Sequence, residues 1–357
     1  MRIAFLINDK VGSAKVESGL AWLQQLAQAE PNYQFLLWTN KKKLPSFSQN
    51  VQVDHLLSLD AFFSIKTRWS LRKRIKATSP ALLVTLSDGF TFETNCPQVV
   101  IFSDTHSDVN SAHLRALKKK ASKAAATVFP SRATASHWQS LLPIAKDRVH
   151  TITPLPFPTA IPLNAAEKMK CQLEFTEGRQ FFLLAEELRA EAPLVELLKA
   201  FSLFKKRQQT NMKLVLPFAL DEELSSFAHK LSSYKFKEDI VIAGTISVDT
   251  RARLAAAAYA LLMIDPAGNT EAHIVEALQL EQPLLVPRTH SAEELAGPSA
   301  LYTEPDNVQD LANKMMLIYK DETLRTQLIL QGKEQYARVM ETTPLERFRD
   351  LLHSFAS

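Results

Sequence analysis

The chain has 357 residues, 46% hydrophobic and 22% charged, which suits a soluble globular protein too long for one ordinary core and so points to two domains. Its two cysteines, Cys96 and Cys171, exclude a disulfide framework and a paired-cysteine metal site, and no apolar run reaches the ~20 residues that span a bilayer. The net charge of +4 is uneven, +10 over residues 1–160 and −6 over the rest, so the first half is expected to favour anionic lipids, surfaces or substrates.

Arg2–Ile7 is an apolar strand run rather than a signal peptide, which leads to the expectation of a cytoplasmic protein. Gly12 and Gly19 bracket the turn into a helix over Leu20–Ala29, and strands follow at Gln34–Trp38 and Val51–His55. Lys41, Lys42 and Lys43 read as a solvated loop. Arg68–Lys76 reads as a basic amphipathic helix with Trp69 and Leu71 facing inward and Arg68, Arg72, Lys73 and Lys76 facing out. That outer face is either plainly solvated or a surface for anionic lipid headgroups, to which Lys118, Lys119, Lys120 and Lys123 can add. Aromatics are not interleaved with these charges, which argues against nucleic acid. Strands Ala81–Leu86 and Gln98–Phe102 come next, the second ending in Ser103-Asp104-Thr105-His106. A helix over Ala112–Ala125, a strand over Thr127–Phe129, a helix over Ala133–Leu142 and a strand over Arg148–Ile152 complete the first half. Pro154, Pro156, Pro158 and Pro162 then make a semi-rigid linker, where the domain boundary is placed.

The second half repeats the alternation. A helix at Ala165–Leu173, a strand at Gln180–Ala185, a loop at Glu186–Ala192, a helix at Pro193–Lys205, a strand at Lys213–Pro217 and a helix at Leu220–Leu231 are expected. Strand Ile240–Ala243 stops at Gly244; the Ala-rich helix Asp249–Ala260 and strand Leu261–Ile264 follow, closed by Asp265-Pro266. After a polar loop comes a helix over Glu271–Leu280, with Thr270 as its N-cap, and a strand over Leu284–Val286. Tail helices are expected at Asn307–Tyr319, from Thr323 toward Val339, and at Leu345–Phe355. Strands alternating with helices give a parallel sheet covered on both faces, whose ligands sit beyond the carboxyl ends of the strands. The free N–H groups at Thr270 would form an anion site there.

Gly244-Thr245-Ile246, Glu276-Ala277-Leu278 and Pro283-Leu284 resemble the donor-nucleotide half of the family 4 glycosyltransferases, which read Gly-x-Val before a helix and later Glu-Ala-Met and Pro-Val. Pro130-Ser131-Arg132 matches the family's serine-containing turn, Leu197–Phe201 its Leu-x-x-Ala-Phe, and Glu294-Leu295-Ala296-Gly297 its Glu-hydrophobic-Ala-Gly. The resemblance runs from about Arg2 to Leu352. It implies an α/β protein of the GT-B fold, with two Rossmann-like doubly wound parallel-sheet domains facing across a cleft. Residues 1–155 would form the acceptor-side domain and 156–339 the nucleotide-sugar side. A C-terminal helix within 340–357 would cross back to the first domain.

The resemblance also assigns residues. Glu276 takes the place of the glutamate that contacts the donor ribose, with Thr270, Asn269 and Gly244 beside it, and Gly12 is what remains of a Gly-Gly turn near the donor phosphates. Glu186-Glu187-Leu188 aligns with the Gly-Arg-Leu, and Ala192 with the lysine, that together clamp the diphosphate. Arg189 either supplies the missing cation or is a surface charge. Gly268 stands where the first glutamate of the pair is expected; Glu271 either substitutes for it or complements the helix dipole. Ser103-Asp104 aligns with a His-Asp pair, so Asp104 and His106 are either acceptor-side polar groups or loop residues. Glu281 replaces a glycine and is read as a further acid near the site. A transferase of this kind needs no metal and no other cofactor, because cations and a helix N-terminus stabilise the departing diphosphate. Two readings follow: a sugar-nucleotide-dependent glycosyltransferase with weak or lost catalysis, and a non-catalytic relative that is a binding or partner subunit of an active transferase. A sugar-nucleotide epimerase is a third option, which no carboxylate and histidine set supports. A cytoplasmic protein, peripheral on the inner membrane face through Arg68, Arg72, Lys73 and Lys76, is the matching location.

Overall fold

The structure, a computed structural model, describes residues 1–8, 13–56, 65–86, 94–102, 115, 117, 118, 123–186, 188, 191–266 and 270–355. The chain divides into two compact units, Met1–Leu155 with Met340–Ser357, and Pro156–Val339. Each is built on a parallel sheet.

In the first unit the described strands are β1 (Arg2–Ile7), β2 (Gln34–Thr39), β3 (Val51–His55), β4 (Leu82–Leu86), β5 (Gln98–Ile101), β6 (Ala126–Phe129) and β7 (Val149–Thr151). They lie in the order 3-2-1-4-5-6-7, all parallel. Apart from the exposed first residues of β1 and β2, the central strands are buried, as continuous apolar runs covered on both faces must be, while the edge strands β3 and β7 are only half-buried. Helices α1 (Ser13–Ala29), α2 (Ile65–Thr78) and α3 (Arg132–Leu141) cover the sheet. Helix α1 begins earlier than the sequence suggests and takes Gly19 into its interior. There a Cβ would collide with the Leu86 side chain, so glycine lets the helix approach β4. The C-terminal helix Pro344–His353 belongs to this unit: Phe348 meets the Trp22 ring edge-on at 4.2 Å, and Glu30 pairs with His353 at 3.1 Å.

One expectation is overturned here. Leu71 is buried against Leu6, Trp38 and Leu83, but Trp69 is 66% exposed. With 3.6 residues per turn, the inward stripe of α2 is Leu71 and Ile75, and Trp69 falls on the opposite side. Of the helix expected over 112–125, Arg115, Leu117 and Lys118 are helical but Lys123, Ala124 and Ala125 are not, so it stops short of Ala125; its other residues lie outside the described residues.

The second unit holds β8 (Phe181–Leu184), β9 (Lys213–Leu216), β10 (Ile240–Ile242), β11 (Ala260–Leu262), β12 (Leu284–Pro287) and β13 (Ala300–Thr303), parallel in the order 10-9-8-11-12-13. Its helices are α4 (Ala165–Thr176), α5 (Glu191–Gln208), α6 (Ser225–Ser232), α7 (Val248–Ala257), α8 (Thr270–Gln279), α9 (His290–Ala296), α10 (Val308–Lys320) and α11 (Glu322–Met340). Asn164 and Glu167 form a capping box that starts α4. Helix α5 turns Leu194, Leu197, Leu198, Phe201 and Phe204 into the core, where Phe204 meets Phe182 edge-on at 5.3 Å. The helix expected over Leu220–Leu231 is split, a 3-10 turn at Glu222–Leu224 preceding α6. The proline-rich segment after the boundary is held to α8. Gln279 donates to the carbonyls of Phe157 and Ala160, at 3.0 and 2.8 Å, and accepts from the Phe157 N–H.

Candidate functional site

Numbered within its own unit, the second sheet has the strand order 3-2-1-4-5-6, with β8 and β11 as the adjacent strands from which the chain departs in opposite directions. A crevice opens beyond the carboxyl ends of such a pair, where open α/β sheets take ligands. Glu186 lies just past β8, and Ile264 and Asp265 just past β11. Helix α8 follows β11, so its N-terminus points to the same edge.

Of the buried carboxylates here, Glu186, Glu271 and Glu276, the first and last are set apart by their partners. Glu276, 1% exposed, lies in the second turn of α8. Its Oε2 accepts from Arg251 Nη1 of α7 at 2.8 Å and lies 3.3 Å from His273 Nδ1, one turn earlier on α8. The Arg251 guanidinium also sits over the Phe157 ring, 5.7 Å from its centroid. Burial alone would push the Glu276 carboxyl up, but the charge of Arg251 and the His273 contact together hold it at about 2. Glu276 is therefore ionised at neutral pH. Its second oxygen, Oε1, has no hydrogen-bond partner among the described residues.

Glu186 is the opposite case. Its Oε2 accepts from the amides of Ile264 and Asp265 at 2.8 and 3.2 Å, tying the end of β8 to the loop after β11. Burial pushes this carboxyl up to about 8; the two amide bonds oppose the rise and the nearby Asp265 adds to it. At neutral pH Glu186 is mostly protonated, and its Oε1 has no partner among the described residues.

Of the residues singled out from the sequence, Glu276, Glu271, Thr270 and Gly244 are described. The first three share α8 and are buried, with Glu271 in the first turn. Thr270 is the first residue inside α8 rather than its N-cap. Gly244, two residues beyond β10, has φ +72°, and no atom lies within 4 Å of where a Cβ would stand; the backbone conformation, not crowding, calls for glycine. Ala192 sits exposed in the first turn of α5. Gly12, Asp104, His106, Arg189 and Asn269 lie outside the described residues, as do Ser103, Glu187 and Gly268.

Glu281 corrects another expectation. It follows the C-terminus of α8, and ten helical residues span ~15 Å, so it lies at the end of the helix remote from the crevice. It pairs there with Lys333 at 2.9 Å. Its φ of +56° is the left-handed region that favours glycine, which accounts for glycine at this place in the family pattern. Arg251 and His273 were missed altogether. His273 carries a weak signal, being one turn before Glu276 on the same helix; Arg251 carries none, because its pairing depends on how two helices are set side by side.

Residues 165–335 match the family model described as Glycosyl transferases group 1. No curated protein matches the chain in sequence. Among solved structures, a glycosyltransferase from Rickettsia africae ESF-5 is similar at a TM-score of 0.75 and 14% identity, over 100% of this chain and 98% of that one. The Anabaena protein Alr3699/HepE, in complex with UDP and glucose, is similar at 0.76 and 15%, over 99% and 100%. Sucrose-phosphate synthase from Thermosynechococcus elongatus is similar at 0.77 and 13%, over 100% and 99%. The fold is the GT-B fold, two Rossmann-like parallel-sheet units. Identities this low establish the fold and not the chemistry. Among the described residues no helix is long and apolar enough to cross a membrane, and no cluster of His, Cys, Asp or Glu could hold a metal ion.

Proposed function

We propose that the second unit binds a nucleotide sugar and that the chain is a glycosyltransferase of the sugar-nucleotide-dependent family 4 type. One observation carries the reading: Glu276 is an ionised, buried carboxylate on the helix after the switch-point strand β11, inside the segment that matches the group 1 family model. Arg251 and His273 fix one of its oxygens, which leaves the other for the hydroxyls of a donor ribose. Thr270 and Gly244 are the described residues assigned to the donor, with the N-terminus of α8 for its diphosphate; Asn269, Arg189 and Gly12 are assigned to it by the resemblance alone. In the transfer, an acceptor hydroxyl oxygen bonds to the anomeric carbon as the bond from that carbon to the diphosphate breaks. The acceptor's proton passes to a base, for which Asp104, His106 and Glu271 are the candidates. Since Alr3699/HepE is a UDP complex, uridine nucleotides are the first donors to try.

A second reading is favoured by Glu186. A neutral carboxyl, engaged with backbone amides, and Ala192 stand in the segment where the resemblance expects the two clamping cations. Without those charges the transferase has weak or lost turnover, and the alternative is a non-catalytic relative that serves as a binding or partner subunit of an active transferase. The basic face of α2, with Arg72, Lys73 and Lys76 and with Arg68 in the same helix, is read as contact with an anionic membrane surface or a lipid-linked acceptor, giving a cytoplasmic protein peripheral on the membrane.

Calorimetric titration with UDP-, GDP- and ADP-sugars separates the first two readings. Micromolar binding that Glu276→Ala abolishes supports the donor site, and release of nucleoside diphosphate with acceptor measures turnover. Heat with none of the three leaves the partner-subunit reading.

A further inference from the structure

We propose that the outer face of α2 docks on an anionic phospholipid surface with Trp69 as its interfacial anchor. The proposal rests on the membrane reading of this helix and is independent of the donor site. Leu71 and Ile75 turn the inner side of α2 to the core, and Arg74 on its flank is paired with Asp54. On the outer side, Trp69, Arg72, Lys73 and Lys76 recur at the spacing i, i+3, i+4, i+7 and so form one stripe. Trp69 is 66% exposed and the three cationic residues are exposed as well. The Lys73 ammonium sits 5.7 Å from the centroid of the Trp69 ring.

An indole in that setting fits the headgroup layer, where its apolar ring and polar N–H are both accommodated. Among the described side chains Trp69 is the one large exposed apolar residue of the stripe, and a lipid surface needs a single such anchor plus charge. The charge is there: residues 1–160 carry a balance of +10. A cavity of about 550 Å³ opens beside the stripe, bordered by Arg72, Lys76, Ser79, Thr94 and Asn95. Its two cations suit the phosphate of a lipid headgroup, while Ile75, Pro80 and Pro97 give the rest of its wall an apolar lining.

The test uses the full chain with vesicles of phosphatidylcholine alone or mixed with phosphatidylglycerol. The chain has four tryptophans, of which Trp22, Trp38 and Trp138 are buried, so quenching of tryptophan emission by lipids brominated in the acyl chain reports on Trp69. Retention by the anionic vesicles only, with quenched emission, is expected. Trp69→Ala is expected to weaken binding by ~10-fold, as the loss of an interfacial indole should. Replacing Arg72, Lys73 and Lys76 together by glutamine is expected to weaken it on the order of 100-fold, about fivefold per cation. Anionic vesicles that bind without quenching, or equally well with Trp69→Ala, would overturn the anchor and leave the membrane reading standing. No retention by any vesicle, including the case where the same face captures polyglutamate instead, would overturn both.

Discussion

Glu276 and Glu186 are both buried side chains of the second unit, yet one is held at about 2 and the other is pushed to about 8. Removal from water raises both. What separates them is the partner. Glu276 faces a guanidinium 2.8 Å away, whose full charge outweighs the loss of hydration; Glu186 has only two amide dipoles, which do not. Burial thus leaves the charge state open, and a neighbouring cation decides it. On the proposed donor reading, the same contrast sets a carboxylate available to ribose hydroxyls apart from a neutral carboxyl that brings no charge to a phosphate.

The comparison is broken most severely at Arg251. Arg251→Met would leave Glu276 as an uncompensated buried charge and is expected to cost ~3–5 kcal/mol in urea unfolding. Adding Glu276→Gln to that variant should recover much of the loss, since it removes the stranded charge; no recovery would mean that Arg251 acts through packing on Phe157 instead.

Glu186→Gln should act in the other direction. The folded protein keeps a proton that the unfolded chain gives up above about pH 4.5, so wild-type stability falls as pH rises from there and levels off above about pH 8. The glutamine variant keeps the amide contacts without that loss. It should match the wild type near pH 4 and exceed it by ~2–4 kcal/mol at pH 8.5. A constant difference between variant and wild type across that range would show that Glu186 does not change charge there.

For Glu276 the sign is reversed. The stability it contributes is fully present above about pH 4.5 and is lost as pH falls toward 2, so acid unfolding of Glu276→Gln should be flatter than that of the wild type over this interval. The smallest effect is expected from His273→Leu, ~1 kcal/mol, because Arg251 still holds the same oxygen.

The sequence made the sheets legible because their signal is local. Runs such as FLLW in β2 and LLVTL in β4 announce strands buried on both faces, and the alternation with helices orders them. Glu276 stands out in the sequence through the motif around it. The ion pair that sets its charge does not, because Arg251 and Glu276 lie on different helices and meet only through tertiary packing. Glu186 was read as an acid out of place in a cationic clamp. Its neutrality follows from burial and from the amides of Ile264 and Asp265, which composition does not reveal. Trp69 was misread because large aromatics are usually interior, while the helical register of Leu71 and Ile75 sends it outward.

If Glu276 is the ribose acceptor, its effect must vanish with the ribose hydroxyls. The direct measurement is calorimetric binding of UDP and of 2′,3′-dideoxy-UDP to the wild type and to Glu276→Gln. A hydrogen bond to a charged group is worth ~1.5–3 kcal/mol, so the wild type is expected to bind UDP at least ~10-fold more tightly than the dideoxy analogue, and the variant to bind the two alike. Equal affinity of the wild type for both nucleotides, or no binding of either, would contradict the assignment.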